Sequence, residues 1–176
     1  MLLEIAVIAV GLLLSHFLKG INFLSINWDI TGVIYPDFLL IFVIFFALRR
    51  GEFSGLWIGF FAGLLEDSGI LRFDFPEPAL NLIGVHAIIY TLTGFILGKL
   101  NRIIDRDSTI PIMFVVFTTT FICRFLVWFI MGILDESSAS YAFFGPAVYT
   151  AILSPVWFFL LGWAYRQTSE EENAGV

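Results

Sequence analysis

Four ionisable side chains stand within or beside the long apolar runs of this 176-residue sequence: Asp37, Asp67, His86 and Arg124. A charged residue at the centre of a membrane helix costs about 2.5–3.5 kcal/mol on insertion scales, so it persists where it pairs with an opposite charge or faces water. We therefore expect Arg124 to pair with Asp67 or Asp37, and His86 to help line a polar pocket. Pairing that is purely structural, with no ligand, is the alternative interpretation.

The sequence contains no motif for catalysis or for cofactor binding. The stretch Gly51-Glu-Phe-Ser-Gly55 has its serine displaced by one position from the G-x-S-x-G nucleophile elbow. His16 and His86 are the only histidines and do not form H-E-x-x-H, and no glycine-rich loop is followed by Lys and Ser or Thr. The single cysteine, Cys123, excludes an intrachain disulfide and a cysteine-rich metal site. We expect no enzymatic activity, no cofactor and no metal.

The solvent around these groups is predicted to be lipid. Hydrophobic residues make up 59% of the chain and charged residues 14%, against about 25% charged in soluble domains. A spanning helix needs about 20 mostly apolar residues, and six runs qualify. They cover residues 2–18, 32–48, 53–71, 80–98, 109–134 and 143–165. The predicted fold is an all-α integral membrane protein, with a six-helix transmembrane domain over residues 1–166 and an acidic cytoplasmic tail over 167–176.

The placement of Lys and Arg predicts how these helices are oriented, because cytoplasmic loops carry an excess of both. The segments after the second and fourth runs and the tail hold six basic residues: Arg49, Arg50, Lys99, Arg102, Arg106 and Arg166. The segments after the other runs hold Lys19 and Arg72. Both termini are therefore predicted to be cytoplasmic, with the four ionisable candidates at or above mid-membrane on the outer side. The net charge of −6 comes without a basic patch for nucleic acid.

Two sets of glycines indicate how two of the helices pack. Gly55, Gly59 and Gly63 in the third run are spaced by four, and the second set is Gly84, Gly94 and Gly98 in the fourth run. In lipid there is no hydrophobic drive between helices, so small residues that let backbones approach closely stabilise helix pairs. We expect the two sets to support packing within the subunit. Packing against a partner protein or a second copy is the alternative.

Four stretches, in order along the chain, resemble the family of the rod shape-determining protein MreD. They are Pro36-Asp37-Phe38-Leu39-Leu40, then GFFAGLLED at 59–67, then GVHA at 84–87 with Tyr90 and Gly94 after it, and SPVWFF at 154–159. The length and the number of predicted spans also agree with that family. The stretch from 70 to 81 is longer than is usual there, which predicts an enlarged outer loop.

The resemblance implies a non-enzymatic subunit of the bacterial cell-elongation machinery in the cytoplasmic (inner) membrane. It implies binding to MreC, a single-span protein with a periplasmic domain, and work alongside RodA and a penicillin-binding transpeptidase in organising or regulating peptidoglycan synthesis. Homodimerisation is a further expectation left open.

The family's six-helix frame is also similar to the substrate-binding subunits of energy-coupling-factor vitamin transporters. The alternative function is therefore a small-solute binding subunit, with its pocket at Asp37, Asp67, His86 and Arg124. In either case Asp67 is expected to face a pocket or the periplasmic stem of a partner.

Overall fold

The structure is a computed structural model that describes residues 2–19, 21, 24–28, 32–68, 84–105, 108–133 and 142–174. The described residues form six α-helices and one antiparallel pair of short strands. In chain order these are α1 (Leu2–Lys19), β1 (Ile26–Trp28), β2 (Gly32–Ile34), α2 (Phe38–Arg50), α3 (Glu52–Asp67), α4 (Val85–Lys99), α5 (Thr109–Ile133) and α6 (Phe144–Ala174). Each predicted run thus overlaps one helix. The predicted loop from 70 to 81 lies outside the described residues.

Helix α2 is the centre of the bundle. Every residue from Phe38 to Leu48 is buried, because the helix packs against α1, α3, α4, α5 and α6. A helix that is apolar on all sides is stable only when it is surrounded, and the sequence FLLIFVIFFAL has no polar face. Phe45, for example, meets Phe158 of α6 edge to face, with ring centroids 5.3 Å apart. The remaining helices therefore form a shell around α2.

The predicted second span, residues 32–48, is wrong at its start. Residues Gly32–Ile34 form a strand instead, with Ile26 opposite Ile34 in the antiparallel pair. Pro36 explains the difference, because proline disfavours the helical conformation in the residue before it and cannot itself donate a backbone hydrogen bond. The helix begins after Asp37, whose side chain accepts a hydrogen bond from the backbone of Leu40.

Helix α6 continues through Pro155, which lies inside it. A proline has no N–H, so the carbonyl four residues earlier, that of Ala151, loses its usual donor. The Ser154 hydroxyl donates to that carbonyl at 2.7 Å, and Ser154 is fully buried. In an apolar environment this replacement keeps the backbone satisfied and lets the helix continue. The helix extends to Ala174, beyond the predicted boundary at residue 166.

Two helical segments of the described chain are long and apolar enough to cross a membrane: Thr109–Ile133 and Phe144–Arg166. Two shorter apolar segments are Ile5–Leu18 and Val85–Lys99. Helix α2 has 13 residues, about 20 Å at 1.5 Å per residue, whereas the hydrocarbon core of a bilayer is about 30 Å thick. The arrangement with six spans stays a prediction.

Candidate functional site

Helices α3 and α4 lie in backbone contact along their glycine faces. A methyl group built on Gly59 would fall on the carbonyl of Tyr90, and one built on Gly63 would fall on the backbone of Ala87. Gly55 and Gly94 face each other in the same way, each directed at the other's carbonyl group. Since backbone atoms cannot move aside as a flexible side chain can, this approach needs glycine on α3. The partner of the α3 glycine face is thus α4 of the same chain.

Gly84 has a different role from the packing role expected for it. A side chain at this position would meet nothing within 4 Å, but the backbone has φ +115°, a conformation that favours glycine. Gly84 is the residue before the first turn of α4 and has no side chain with which to cap it. Gly98, at the other end of α4, lies against the backbone of Glu52 instead.

Asp67, the last residue of α3, supplies the cap that Gly84 lacks. Its Oδ2 accepts hydrogen bonds from the backbone of Gly84 at 2.8 Å and of Ala87 at 3.0 Å, and its Oδ1 accepts from the backbone of His86 at 3.1 Å. The first N–H groups of a helix have no partner within it, and a carboxylate there also interacts favourably with the helix dipole. Asp67 therefore caps α4 from a neighbouring helix.

The imidazole of His86 completes the surroundings of this carboxylate. Its Nδ1 lies 2.7 Å from Asp67 Oδ1. An ionised carboxylate can only accept, so Nδ1 is the ring nitrogen that carries a proton in this contact. Asp67 is only 7% exposed, and four donors surround its two oxygens. Its capacity to accept hydrogen bonds is largely taken up by the fold.

Asp37 has a corresponding role at the start of α2. Its Oδ1 accepts from the backbone of Leu40 at 3.0 Å, and its Oδ2 accepts from the hydroxyl of Tyr90 at 2.6 Å. Its own backbone N–H donates to the Thr150 hydroxyl of α6 at 3.1 Å, and that hydroxyl donates to the carbonyl of Pro146. Asp37 therefore joins the N-terminus of α2 to α4 through its carboxylate and to α6 through its backbone N–H.

One turn of α4 connects the two carboxylates. His86, in contact with Asp67, lies edge to face with Tyr90, which binds Asp37; the ring centroids are 5.8 Å apart. Positions four apart share a helix face, so this contact follows from the helical geometry. The result is a polar cluster, Asp67–His86–Tyr90–Asp37, at one end of α2, α3 and α4.

Arg124 does not join this cluster. Its Nε donates to the backbone carbonyl of Ala142, just before α6, at 2.9 Å. The predicted pairing of Arg124 with Asp67 or Asp37 is therefore wrong within the part of the chain that the structure describes. The reason is that backbone and side-chain donors of α2 and α4 already occupy the two carboxylates.

The sequence reasoning missed two members of the site, Tyr90 and Thr150. Tyr90 is 2% exposed and Thr150 is fully buried. A signal for Tyr90 was present, since it follows His86 by four positions on a helix. Thr150 lies in a largely apolar run, and a hydroxyl there can bind across helices, but nothing in the sequence indicates which helix it would reach.

The described residues contain no group of three or more His, Cys, Asp or Glu placed to hold a metal ion. What the cluster does, by its geometry, is fix the relative positions of helix ends. The fold and the cluster thus define an apolar helical bundle of the membrane type, in which ionisable groups stabilise the protein's own helix termini.

The chain belongs to the family of the rod shape-determining protein MreD, whose sequence profile matches residues 3–165. This confirms the resemblance inferred from the four stretches. The match makes the chain a membrane protein with a role in determining rod shape. No curated protein and no solved structure matches it significantly.

Proposed function

We propose that this chain is a non-enzymatic subunit of the cell-elongation machinery, which binds MreC and helps to organise or regulate peptidoglycan synthesis. In this proposal it spans the cytoplasmic membrane six times, with both termini inside. RodA and a penicillin-binding transpeptidase are its further partners, directly or through MreC. The observation that carries the proposal is the family match over residues 3–165.

The distribution of charge supports the proposed orientation. Arg50 of α2 donates to the hydroxyl of Tyr165 in α6 at 3.1 Å, which places the end of α2 beside this part of α6. Arg49 and Arg50 lie in the last turn of α2 and Lys99 ends α4, whereas Asp37 precedes α2 and Asp67 ends α3 at the other end of the bundle. Glu52, which begins α3, is an acid at the basic end. The described bundle therefore has a basic end and an acidic end. The excess of Lys and Arg on cytoplasmic segments assigns the basic end to the cytoplasm.

The structural role of the polar cluster supports the interpretation of this protein as a scaffold. Asp37, Asp67 and His86 hold helix ends in place through short hydrogen bonds. A rigid frame of this kind presents a fixed outer surface, which suits a protein that positions others. The alternative, a small-solute binding subunit of a vitamin-type transporter with Asp37, Asp67, His86 and Arg124 as its pocket, has less support, because these carboxylates already serve the fold.

The packing of α3 against α4 limits which face of α3 MreC could contact. Its glycine face lies on α4, so a partner helix cannot use it. The opposite face carries Phe53, Trp57 and Phe61, exposed by 71%, 59% and 52%. Trp57 and Phe61 stack with centroids 6.4 Å apart. We assign the single transmembrane helix of MreC to this aromatic face of α3, because large rigid aromatic side chains provide strong contact area in interfaces.

The test is co-purification of MreC with the tagged chain from co-expressing membranes in mild detergent, with the ratio of the two proteins measured by quantitative mass spectrometry. Trp57→Ala with Phe61→Ala is compared with Phe114→Ala with Phe129→Ala, a control pair on α5 whose members are 69% and 52% exposed. We expect the α3 pair to lower recovery of MreC at least about tenfold, since two aromatic anchors contribute about 2 kcal/mol or more. The α5 pair should leave recovery unchanged.

Two outcomes would contradict this scheme in different ways. If both pairs lower recovery equally, MreC binds but the assigned face is wrong. If MreC is not recovered with the unmodified chain, and an ATPase pair with a coupling membrane subunit is recovered from native membranes instead, the transporter alternative replaces the scaffold.

A further inference from the structure

A cavity of about 240 Å³ lies at the basic end of the bundle, where α2 ends, α5 begins and α6 passes both. Its lining has a polar part, formed by Arg49, Thr109 and Arg166. It also has an apolar part, formed mainly by Ile112, Phe158 and Phe159. The cavity lies at the other end of α2 from the Asp67–His86–Tyr90–Asp37 cluster and shares no residue with it.

Two guanidinium groups converge on Gly162 in this cavity. The position of a Cβ on Gly162 is 3.6 Å from Nη2 of Arg49. Arg166 Nε donates to the Gly162 carbonyl at 3.4 Å. Two positive charges that approach one glycine produce a potential that favours an anion between them. A side chain at position 162 would lie in contact with the Arg49 guanidinium, and glycine keeps this position open.

The guanidinium of Arg49 is oriented by an aromatic ring. Its Cζ lies 4.9 Å from the ring centroid of Phe45. Stacking of this kind uses the flat face of the guanidinium, while its five N–H donors lie in the plane at its edge. An edge of two parallel donors matches two oxygens of a phosphate, and such paired contacts are stronger than single neutral hydrogen bonds. The polar part of the cavity is therefore suited to a phosphate group.

The apolar part of the lining indicates what kind of molecule carries the phosphate group. Phe159 lies seven residues before Arg166 on α6, about 10 Å along the helix axis. Phe158 is 7% exposed and Phe159 is 67% exposed, so the cavity is bounded by one ring on the inside and opens beside the other. A charged end followed by an apolar opening toward the surrounding medium matches an amphiphile, with its head group at the arginines and an acyl chain along Phe159.

The size of the cavity fits a head group and not a whole lipid. Sites that enclose a drug-sized molecule have volumes of about 300–1,000 Å³, and this one has about 240 Å³. We propose that the cavity binds the phosphate group of an anionic phospholipid, held by Arg49 and Arg166, with the acyl chains on the outer surface of the bundle. Free phosphate presents the same kind of anionic oxygens, but it would leave the apolar part of the lining unused.

The test is native mass spectrometry of the full chain in detergent, titrated with phosphatidylglycerol or with phosphatidylcholine. We expect phosphatidylglycerol to bind at least about fivefold more tightly, because one arginine near an anionic lipid head group contributes a factor of about five. Arg49→Gln and, independently, Arg166→Gln should each remove about that factor. If one of the two variants does not fold, the other still tests the site.

Two further variants separate this cavity from general surface charge. Arg102→Gln removes one positive charge from an exposed turn after α4, outside the lining, and should leave binding unchanged. Gly162→Val keeps both arginines and fills the space between them, so it should lower binding of phosphatidylglycerol about fivefold or more. Thermal unfolding of each variant establishes that it is folded.

Three results would overturn the proposal. The first is equal affinity for the two lipids. The second is a loss in Arg102→Gln as large as that in Arg49→Gln, or unchanged binding in a folded Gly162→Val variant. The third is complete displacement of the lipid by millimolar inorganic phosphate, which would make the site one for a soluble anion.

Discussion

Asp67→Ala is the substitution that most directly tests how the bundle is held together. It removes the acceptor for three backbone N–H groups in the first turn of α4 and for the ring of His86. Gly84, the residue at the N-cap position, has no side chain that could replace it. Asp67→Asn keeps one oxygen as an acceptor and removes the charge that complements the helix dipole.

The expected magnitude follows from these contacts. Loss of a cap costs about 0.5–2 kcal/mol, and each buried donor left without an acceptor costs about 1–3 kcal/mol. Because the first turn of α4 can relax partly, we expect about 3–5 kcal/mol for Asp67→Ala. Asp67→Asn should cost about 2–4 kcal/mol, because its amide nitrogen cannot accept the two hydrogen bonds that one carboxylate oxygen accepts and the charge that complements the dipole is lost.

The single cysteine of the chain can report thermal unfolding. Cys123 is the single cysteine and is 3% exposed, so a thiol-reactive fluorescent dye reports unfolding in detergent when this side chain becomes accessible. One kcal/mol corresponds to about 2–4 °C in melting temperature for a chain of this size. We expect a decrease of about 6–20 °C for Asp67→Ala and about 4–16 °C for Asp67→Asn.

Glu52→Gln is the matched control, because Glu52 is a carboxylate at the opposite end of the same helix, next to Gly98. It should lower the melting temperature by no more than about 4 °C, as expected for a charge in the first turn of a helix. The capping argument is refuted if Asp67→Ala melts within 2–4 °C of the unmodified protein, or if the control is equally destabilised.

Three further predictions use the same assay. Gly59→Ala should destabilise the protein by about 1–3 kcal/mol because its methyl group meets a backbone carbonyl. The control Gly132→Ala, in open space on α5, should be neutral or slightly stabilising, and equal effects of the two substitutions would contradict the packing argument. Tyr90→Phe should cost about 1.5–3 kcal/mol by leaving a buried carboxylate without its hydroxyl donor, whereas an unchanged melting temperature would mean that this bond contributes nothing. Ser154→Ala should cost about 0.5–1.5 kcal/mol, because the hydroxyl donates to the Ala151 carbonyl that Pro155 leaves without a donor. The cost should be smaller in a Pro155→Ala background, where residue 155 has a backbone N–H again. An unchanged cost in that background would refute the explanation.

Much of the helical frame could be predicted from the sequence because the apolar runs are long and continuous. Each of the six runs overlaps one helix of the structure. The boundary at Pro36 was missed, although the rule that proline restricts its preceding residue was available. The strand pair of Ile26–Trp28 and Gly32–Ile34 could not be predicted, because three-residue strands leave no periodic pattern long enough to detect.

The sequence predicted several residues of the candidate site, but it did not predict which contacts they make. Asp37, Asp67 and His86 lie together at one end of the bundle, but Arg124 bonds elsewhere. Opposite charges were expected to pair. Backbone N–H groups at a helix start compete for the same carboxylate, and this competition depends on where the start of α4 lies relative to the end of α3.

The sequence by itself determined the class of this protein, because composition and apolar run length are properties of the chain and require no knowledge of neighbours. It also determined that one face of α3 is smooth, since a spacing of four places Gly55, Gly59 and Gly63 in line. Only the tertiary structure decided what lies on that face and which donors reach Asp67. Those contacts join residues that are distant along the chain, and a hydrogen bond or a backbone contact exists only at a distance that the packing of whole helices sets.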